Sequence, residues 1–252
     1  MQKRLGLMVL MVGGVLSLLV GTAFPTPAPS RRALVIGNAA YVDSSLSNPI
    51  NDATDLAALL RRLGFDVTLH RDADKPTMEQ AIDRFTQDVS PGSAGLFFFA
   101  GHGVQIDGVN YLVPIGARFS AARDVKDHAV AADGVLARMA DSGMDVKLLL
   151  LDACRDHPLG RSFKGVFSRG LGVMEVPQGA LIAYATSPGK TASDGIGRNS
   201  LFTSSMLLEL VVARRNITVA LTAVRTNIQK LTKGEQIPWV SSALTGDFSV
   251  VH

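Results

Sequence analysis

Two side chains in this 252-residue sequence are of types that do covalent chemistry together: Cys154, the single cysteine, in LLLLDACRDHP, and His102, in FFFAGHG. A thiol becomes a nucleophile when an imidazole takes its proton, and the thiolate then attacks a carbonyl carbon. The glycines around the histidine suit that chemistry. Gly101 and Gly103 leave space for a substrate backbone, and the amides of Gly103 and Cys154 could together form an oxyanion hole. Each residue also has a plainer explanation: a glycine turn that happens to hold a histidine, and a cysteine that packs as a small buried hydrophobe.

His102 and Cys154 are 52 positions apart, so the fold must bring two element ends together if they are to meet. From Arg32 onward, short apolar runs alternate with segments of helical period, the pattern of a parallel sheet covered by helices. Strands are expected at Arg32–Asn38, Phe65–Asp72, Gly95–Gly103, Asp145–Ala153 and GALIAYATS, with FSVV as the last. Helices are expected in NPINDATDLAALLRRLG, PTMEQAIDRFTQDVS, Ala129–Ala140, LFTSSMLLELVVARR and ITVALTAVRTNIQKLT, and a hairpin turning at Asp107 and Gly108. Arg155–Gln178 reads as a loop. The expected fold is α/β, a three-layer α/β/α sandwich with a mostly parallel central sheet. Ligands of such sheets bind beyond the carboxyl ends of the strands, where neighbours lie about 4.8 Å apart. If the strands ending at His102 and Cys154 are neighbours, the imidazole and thiol overlook one crevice.

At 47% hydrophobic and 19% charged, the chain can bury a core and is unlike a disordered one. A net charge of +3 with scattered basic residues argues against a nucleic-acid partner. Lys3 and Arg4 precede a charge-free run, Leu5–Val20, and then GTAFPTPAPS, the anatomy of a signal peptide. Residues 1–23 are therefore expected to be a signal peptide or an uncleaved N-terminal anchor, 24–31 a linker, and 32–252 one domain. The protein is expected to be exported, periplasmic or secreted, and to touch a membrane only through that segment. An oxidising compartment favours paired cysteines, so a lone thiol is either inert or kept for its reactivity.

Several motifs in the same order resemble those of bacterial caspase-like peptidases related to metacaspases: ALVIGNAAY, NPINDATDLAALLRRLGFDV, FFFAGHGVQIDGVNYLVP, LLLLDACRDHP, GALIAYATSPGKTASDG with GRNSLFT, and QIPWVSSALTGDF. The resemblance covers Arg32–Phe248. The caspase signature Q-A-C-[RQG]-G, with a histidine about 50 residues upstream, is met at Ala153–Arg155 and His102 but not at Asp152 or Asp156. The resemblance implies a caspase-like fold and a His102/Cys154 dyad; His157, three residues after the thiol, is a rival base on sequence proximity alone. The resemblance also implies an acidic pocket for arginine or lysine, because Asp152 stands where caspases have glutamine and Asp52 matches another acidic metacaspase position. Two carboxylates hold a guanidinium or ammonium well. Asp194 is a candidate third wall. Helix capping for Asp52, a bond to the adjacent loop for Asp152 and a turn role for Asp194 stay open. A metacaspase pocket serine, two residues before the histidine, is Ala100 here.

In this family the segment after the cysteine strand can be self-cleaved, which makes Arg161, Lys164 and Arg169 candidate sites; a solvated basic loop is the alternative. Metacaspases often need calcium; no calcium loop is legible here, so calcium dependence stays open, and no other metal or cofactor is expected. GKT at Gly189–Thr191 lacks the glycine of a phosphate loop, since Tyr184 stands there, and Cys154–Arg161 has six intervening residues where a phosphatase loop has five. Trp239 is expected to pack, given its apolar flanks. The expected partners are proteins or peptides with basic residues. The rival from another class is a non-catalytic caspase-like module binding basic partners at the cell envelope, and a third possibility is a thiol hydrolase acting on a small amide.

Overall fold

The computed structural model describes residues 30–153, 170–192, 197–212 and 216–251. In chain order the elements are β1 (Arg31–Gly37), α1 (Pro49–Arg62), β2 (Asp66–Arg71), α2 (Lys75–Thr86), β3 (Ala94–Ala100), β4 (Gly103–Ile106), β5 (Val109–Leu112) and α3 (Ala122–His128). There follow β6 (Val130–Ala131), α4 (Ala132–Asp141), β7 (Val146–Asp152), β8 (Ala180–Tyr184), α5 (Leu201–Glu209), α6 (Ile217–Leu231) and β9 (Trp239–Ser242).

The main sheet has the order β2-β1-β3-β7-β8-β9, parallel except for β9. Its inner strands are apolar on both faces because helices cover both: Leu96–Phe99 and Leu148–Leu151 are wholly buried. At the edge, β2 is partly exposed along its length. On one side α1 packs against α5 and α5 against α6; on the other α2 packs against α4. The result is three layers, as the alternation of runs implies. Register puts Gly37, Ala100 and Asp152 level with one another at the carboxyl end of three adjacent strands.

Local signals explain where the helices start and stop. Pro49 opens α1, whose Ala53, Leu56, Ala57 and Leu60 form a buried stripe, and Gly64, at φ 86°, lies just past its end. Asp74 caps α2 by accepting from Thr77 N–H at 2.9 Å.

A small second sheet, β4-β5-β6, stands beside the first. Its hairpin turns at Asp107 and Gly108, both at positive φ (50° and 83°), as a two-residue hairpin turn requires. Val104, Ile106, Tyr111, Val125 and Ala129 give it a core of its own.

Three expectations need correction. FSVV does not close the main sheet: Phe248 O accepts from Ile217 N–H, Ser249 bridges Asn216, and Val250 is buried without joining the main sheet. The last strand is β9, where an antiparallel edge position tolerates the half-polar WVSS. The segment Ala129–Ala140 is not one helix, because Val130 and Ala131 pair with β5 before α4 begins, and polar α3 precedes them with Val125 its one buried residue. Finally, α5 stops at Glu209, short of Arg215. The expected loop is free of helix and strand over residues 170–178; its earlier part, and the N-terminal segment 1–29, lie outside the described residues. Among the described residues no helix is long and apolar enough to cross a membrane.

Candidate active site

β3 and β7 are direct neighbours, with Ala100 opposite Asp152, so the strands that lead to His102 and Cys154 end side by side. The contact continues past the strands. Gly101 N–H donates to Asp152 O at 3.2 Å, and a Cβ built on Gly103 would lie 2.6 Å from Ala153 O and 3.1 Å from Ala153 Cβ. Only a glycine lets β4 pass this close to the residue that precedes the cysteine. Cys154 itself lies outside the described residues, as do His157, Arg161, Lys164, Arg169 and Asp194.

His102 is 2% exposed. Its Nε2 is 2.8 Å from Ser44 O and 3.0 Å from Ser44 Oγ. A carbonyl only accepts, so the proton belongs on Nε2 and the lone pair on Nδ1, the tautomer of a base working through Nδ1. Tyr41 lies against the imidazole, ring centroids 4.5 Å apart and planes tilted by 56°. Gly103 faces Leu112 at a ladder position whose backbone groups do not bond across the hairpin, so its N–H points away from β5.

Asp52 and Asp152 are both fully buried, and they converge on one residue. Asp52 Oδ1 accepts from Ser200 N–H at 2.9 Å. Asp152 Oδ2 accepts from the Ser200 hydroxyl and, at 3.0 Å, from Thr203 Oγ1. Ser200 in turn caps α5, its Oγ accepting from Thr203 N–H at 2.9 Å. The structure thus differs from the local alternative for Asp52. Asn48 is the N-cap of α1, while Asp52, within the first turn, reaches across to α5, and Asp152 meets Ser200 and Thr203, 48 and 51 residues away.

The segment 197–200 is held over α1 by a polar clamp. Arg198 grips Asp55 with two nitrogens at 2.8 and 3.0 Å, Asn199 Nδ2 adds a bond to Asp55 at 3.1 Å, and Asn51 Nδ2 donates to Arg198 O at 3.0 Å. The Arg198 hydrogen bond, helped by Asn199 and opposed by burial, holds the Asp55 carboxyl below its ordinary range.

Sequence reasoning missed Ser44, Tyr41 and Ser200. Tyr41 and Ser200 sit inside quoted motifs, whereas nothing in the sequence marks Ser44. Trp239 does not pack in the core: it is 36% exposed on β9, with the Arg225 guanidinium 5.8 Å from its ring centre. Among the described residues no group of three His, Cys, Asp or Glu side chains is placed to hold a metal ion.

The caspase domain family (Peptidase_C14) matches residues 30–249. Mucosa-associated lymphoid tissue lymphoma translocation protein 1 of Homo sapiens is 29% identical over 225 residues, 86% of this chain and 26% of that protein, and its Mus musculus homolog matches to the same extent. The chain therefore spans about a quarter of the length of these curated relatives. The crystal structure of caspase-1 from Spodoptera frugiperda shares the fold, with a TM-score of 0.62 at 20% identity, covering 89% of this chain and 92% of that one. With the match running from the first strand to the end of the fold, the chain belongs to the caspase domain family of cysteine-type peptidases.

Proposed function

We propose that the domain is an endopeptidase cleaving after arginine or lysine. The observation that carries the specificity is the convergence of Asp52 and Asp152, fully buried and on separate elements, at the carboxyl end of the sheet, two residues before Cys154. A guanidinium entering beside them gains charge-assisted hydrogen bonds, whereas an aspartate side chain is repelled. Asp194 is proposed as a third acidic wall. Cys154 Sγ attacks the scissile carbonyl carbon as its proton passes to His102 Nδ1. The amides of Gly103 and Cys154 hold the oxyanion. When the C–N bond breaks, His102 returns the proton to the leaving amine; water, deprotonated by His102, then cleaves the thioester and releases the acid.

Arginine-ending and aspartate-ending fluorogenic peptides test this with the wild type, Cys154→Ala and His102→Ala. Turnover of the arginine peptide is expected from the wild type alone, and equal turnover by Cys154→Ala would refute it. An arginine-bearing acylating probe that never labels Cys154, with or without calcium, would instead favour a binding module. We also propose export by the N-terminal segment and self-cleavage at Arg161, Lys164 or Arg169, and we assign the reaction no cofactor.

A further inference from the structure

The hairpin that carries His102 contains an irregularity. Counting from the turn at Asp107 and Gly108, Ile106–Val109 and Val104–Tyr111 stand at hydrogen-bonded ladder positions, and one step on the same alternation would make His102–Val113 the next such pair. In that last pair one bond is direct, Val113 N–H donating to His102 O at 3.0 Å. The other runs through a side chain: the Tyr41 hydroxyl accepts from His102 N–H at 3.1 Å and donates to Val113 O at 2.9 Å. Tyr41 is therefore a spacer between two residues that would otherwise bond directly. Its hydroxyl reaches that point because residue 101 is glycine; a Cβ there would lie 2.6 Å from the hydroxyl oxygen. The same side chain lays its ring against the imidazole.

We infer that Tyr41 is a positioning residue for His102, an inference that rests on His102 being the catalytic base. The hydroxyl sets how far the histidine backbone stands off β5, and the ring sets the tilt of the imidazole, so that Nε2 meets Ser44 O and Nδ1 is presented to the thiol.

Tyr41→Phe removes the hydroxyl and keeps the ring. His102 N–H and Val113 O then bond directly, which preserves the fold and draws the histidine toward β5. For Tyr41→Phe, kcat on an arginine peptide is expected to fall about 10- to 100-fold with KM within about twofold, since a misplaced base costs turnover rather than binding. In nitrogen-15 histidine-labelled protein, the Nε2–H resonance of His102, identified among the five histidines by its absence from His102→Ala, is expected to shift. Para-aminophenylalanine at position 41, which keeps a donor and an acceptor, is expected to restore both. Wild-type kcat, KM and resonance in Tyr41→Phe would overturn the inference. If the wild-type protein cleaves no peptide, the proposed activity fails, but the resonance still decides the positioning: a shift supports it and no shift overturns it.

Discussion

Ser200→Ala should be among the most costly single-atom deletions on the surface between α1 and α5. The hydroxyl caps α5, accepting from Thr203 N–H at 2.9 Å, and it donates to a buried carboxylate, Asp152. Loss of an N-cap serine costs about 1 kcal/mol, and loss of a hydrogen bond to a buried charged group about 1.5–3 kcal/mol. Thr203 Oγ1 still donates to Asp152 Oδ2 at 3.0 Å, so the carboxylate is not stripped of donors and the combined loss is about 2.5–4 kcal/mol. In a domain of this size each kcal/mol moves Tm by roughly 2–4 °C, giving a fall of roughly 5–16 °C. The assay is thermal and urea unfolding of the full chain, with Cys154→Ala in both proteins so that self-cleavage does not contribute. Ser200→Thr, which keeps the hydroxyl, is the control and should lie within about 1 kcal/mol of its parent. A Tm for Ser200→Ala within about 2 °C of its parent would show that the serine is not the joint between the two carboxylates and α5.

Asp52→Asn and Asp152→Asn keep an oxygen to accept from Ser200 but remove the charge, so each should lower kcat/KM for arginine peptides about 10- to 100-fold, read against a neutral-residue peptide. An unchanged arginine preference would remove these residues from the pocket. Asp55→Asn tests the clamp over α1. Because the folded state holds the Asp55 carboxyl below its ordinary value, its stabilising contribution is full above the ordinary aspartate pKa of about 3.9 and is lost as pH falls through the lower folded value. The Tm gap between wild type and Asp55→Asn should therefore be constant from pH 7 to about 5 and close in acid, remaining small because Arg198 is largely exposed. A gap that widens in acid would reverse the assigned sign. Gly103→Ala places a methyl 2.6 Å from Ala153 O and 3.0 Å from Leu171, so β4 must move off the neighbouring strand end, and kcat should fall at least about 100-fold, as for loss of an oxyanion donor. Near-normal kcat in that variant would exclude the Gly103 amide from the reaction.

What could be read from the sequence follows a physical rule. Leu148–Leu151 and Leu96–Phe99 announce strands buried on both faces, because no other short element needs four consecutive apolar residues, and their polar exits mark where the sheet ends. The expectation that the strands leading to His102 and Cys154 are neighbours is the part of the site the structure tests, and β3 and β7 do pair. The contacts that tune the site were not legible. Ser44 acts through its carbonyl, which every residue has, and is distinguished only by the path of the loop after β1. Ser200 joins carboxylates 148 and 48 positions away, a convergence that no local period encodes. The misplaced elements, α3, β6 and β9, are short and half-polar, and are held by pairing rather than by an apolar stripe.

The arrangement around Ser200 itself bears on whether the acidic pair serves the fold or a ligand. The α5 cap is complete without either aspartate, because Ser200 Oγ already accepts from Thr203 N–H. Toward α5, Asp52 and Asp152 accept from one amide and two hydroxyls, groups that neutral side chains satisfy as well. Burying two like charges opposes folding through desolvation and mutual repulsion unless a cation balances them. Asparagine would meet the needs of Ser200 and Thr203, so two aspartates point to a cation as the balancing partner. Under the pocket reading that cation is the guanidinium of the substrate. The two isosteric Asn variants separate these accounts in one pair of measurements: under the pocket reading arginine preference falls in both, whereas under the scaffold reading Tm falls and the preference is untouched.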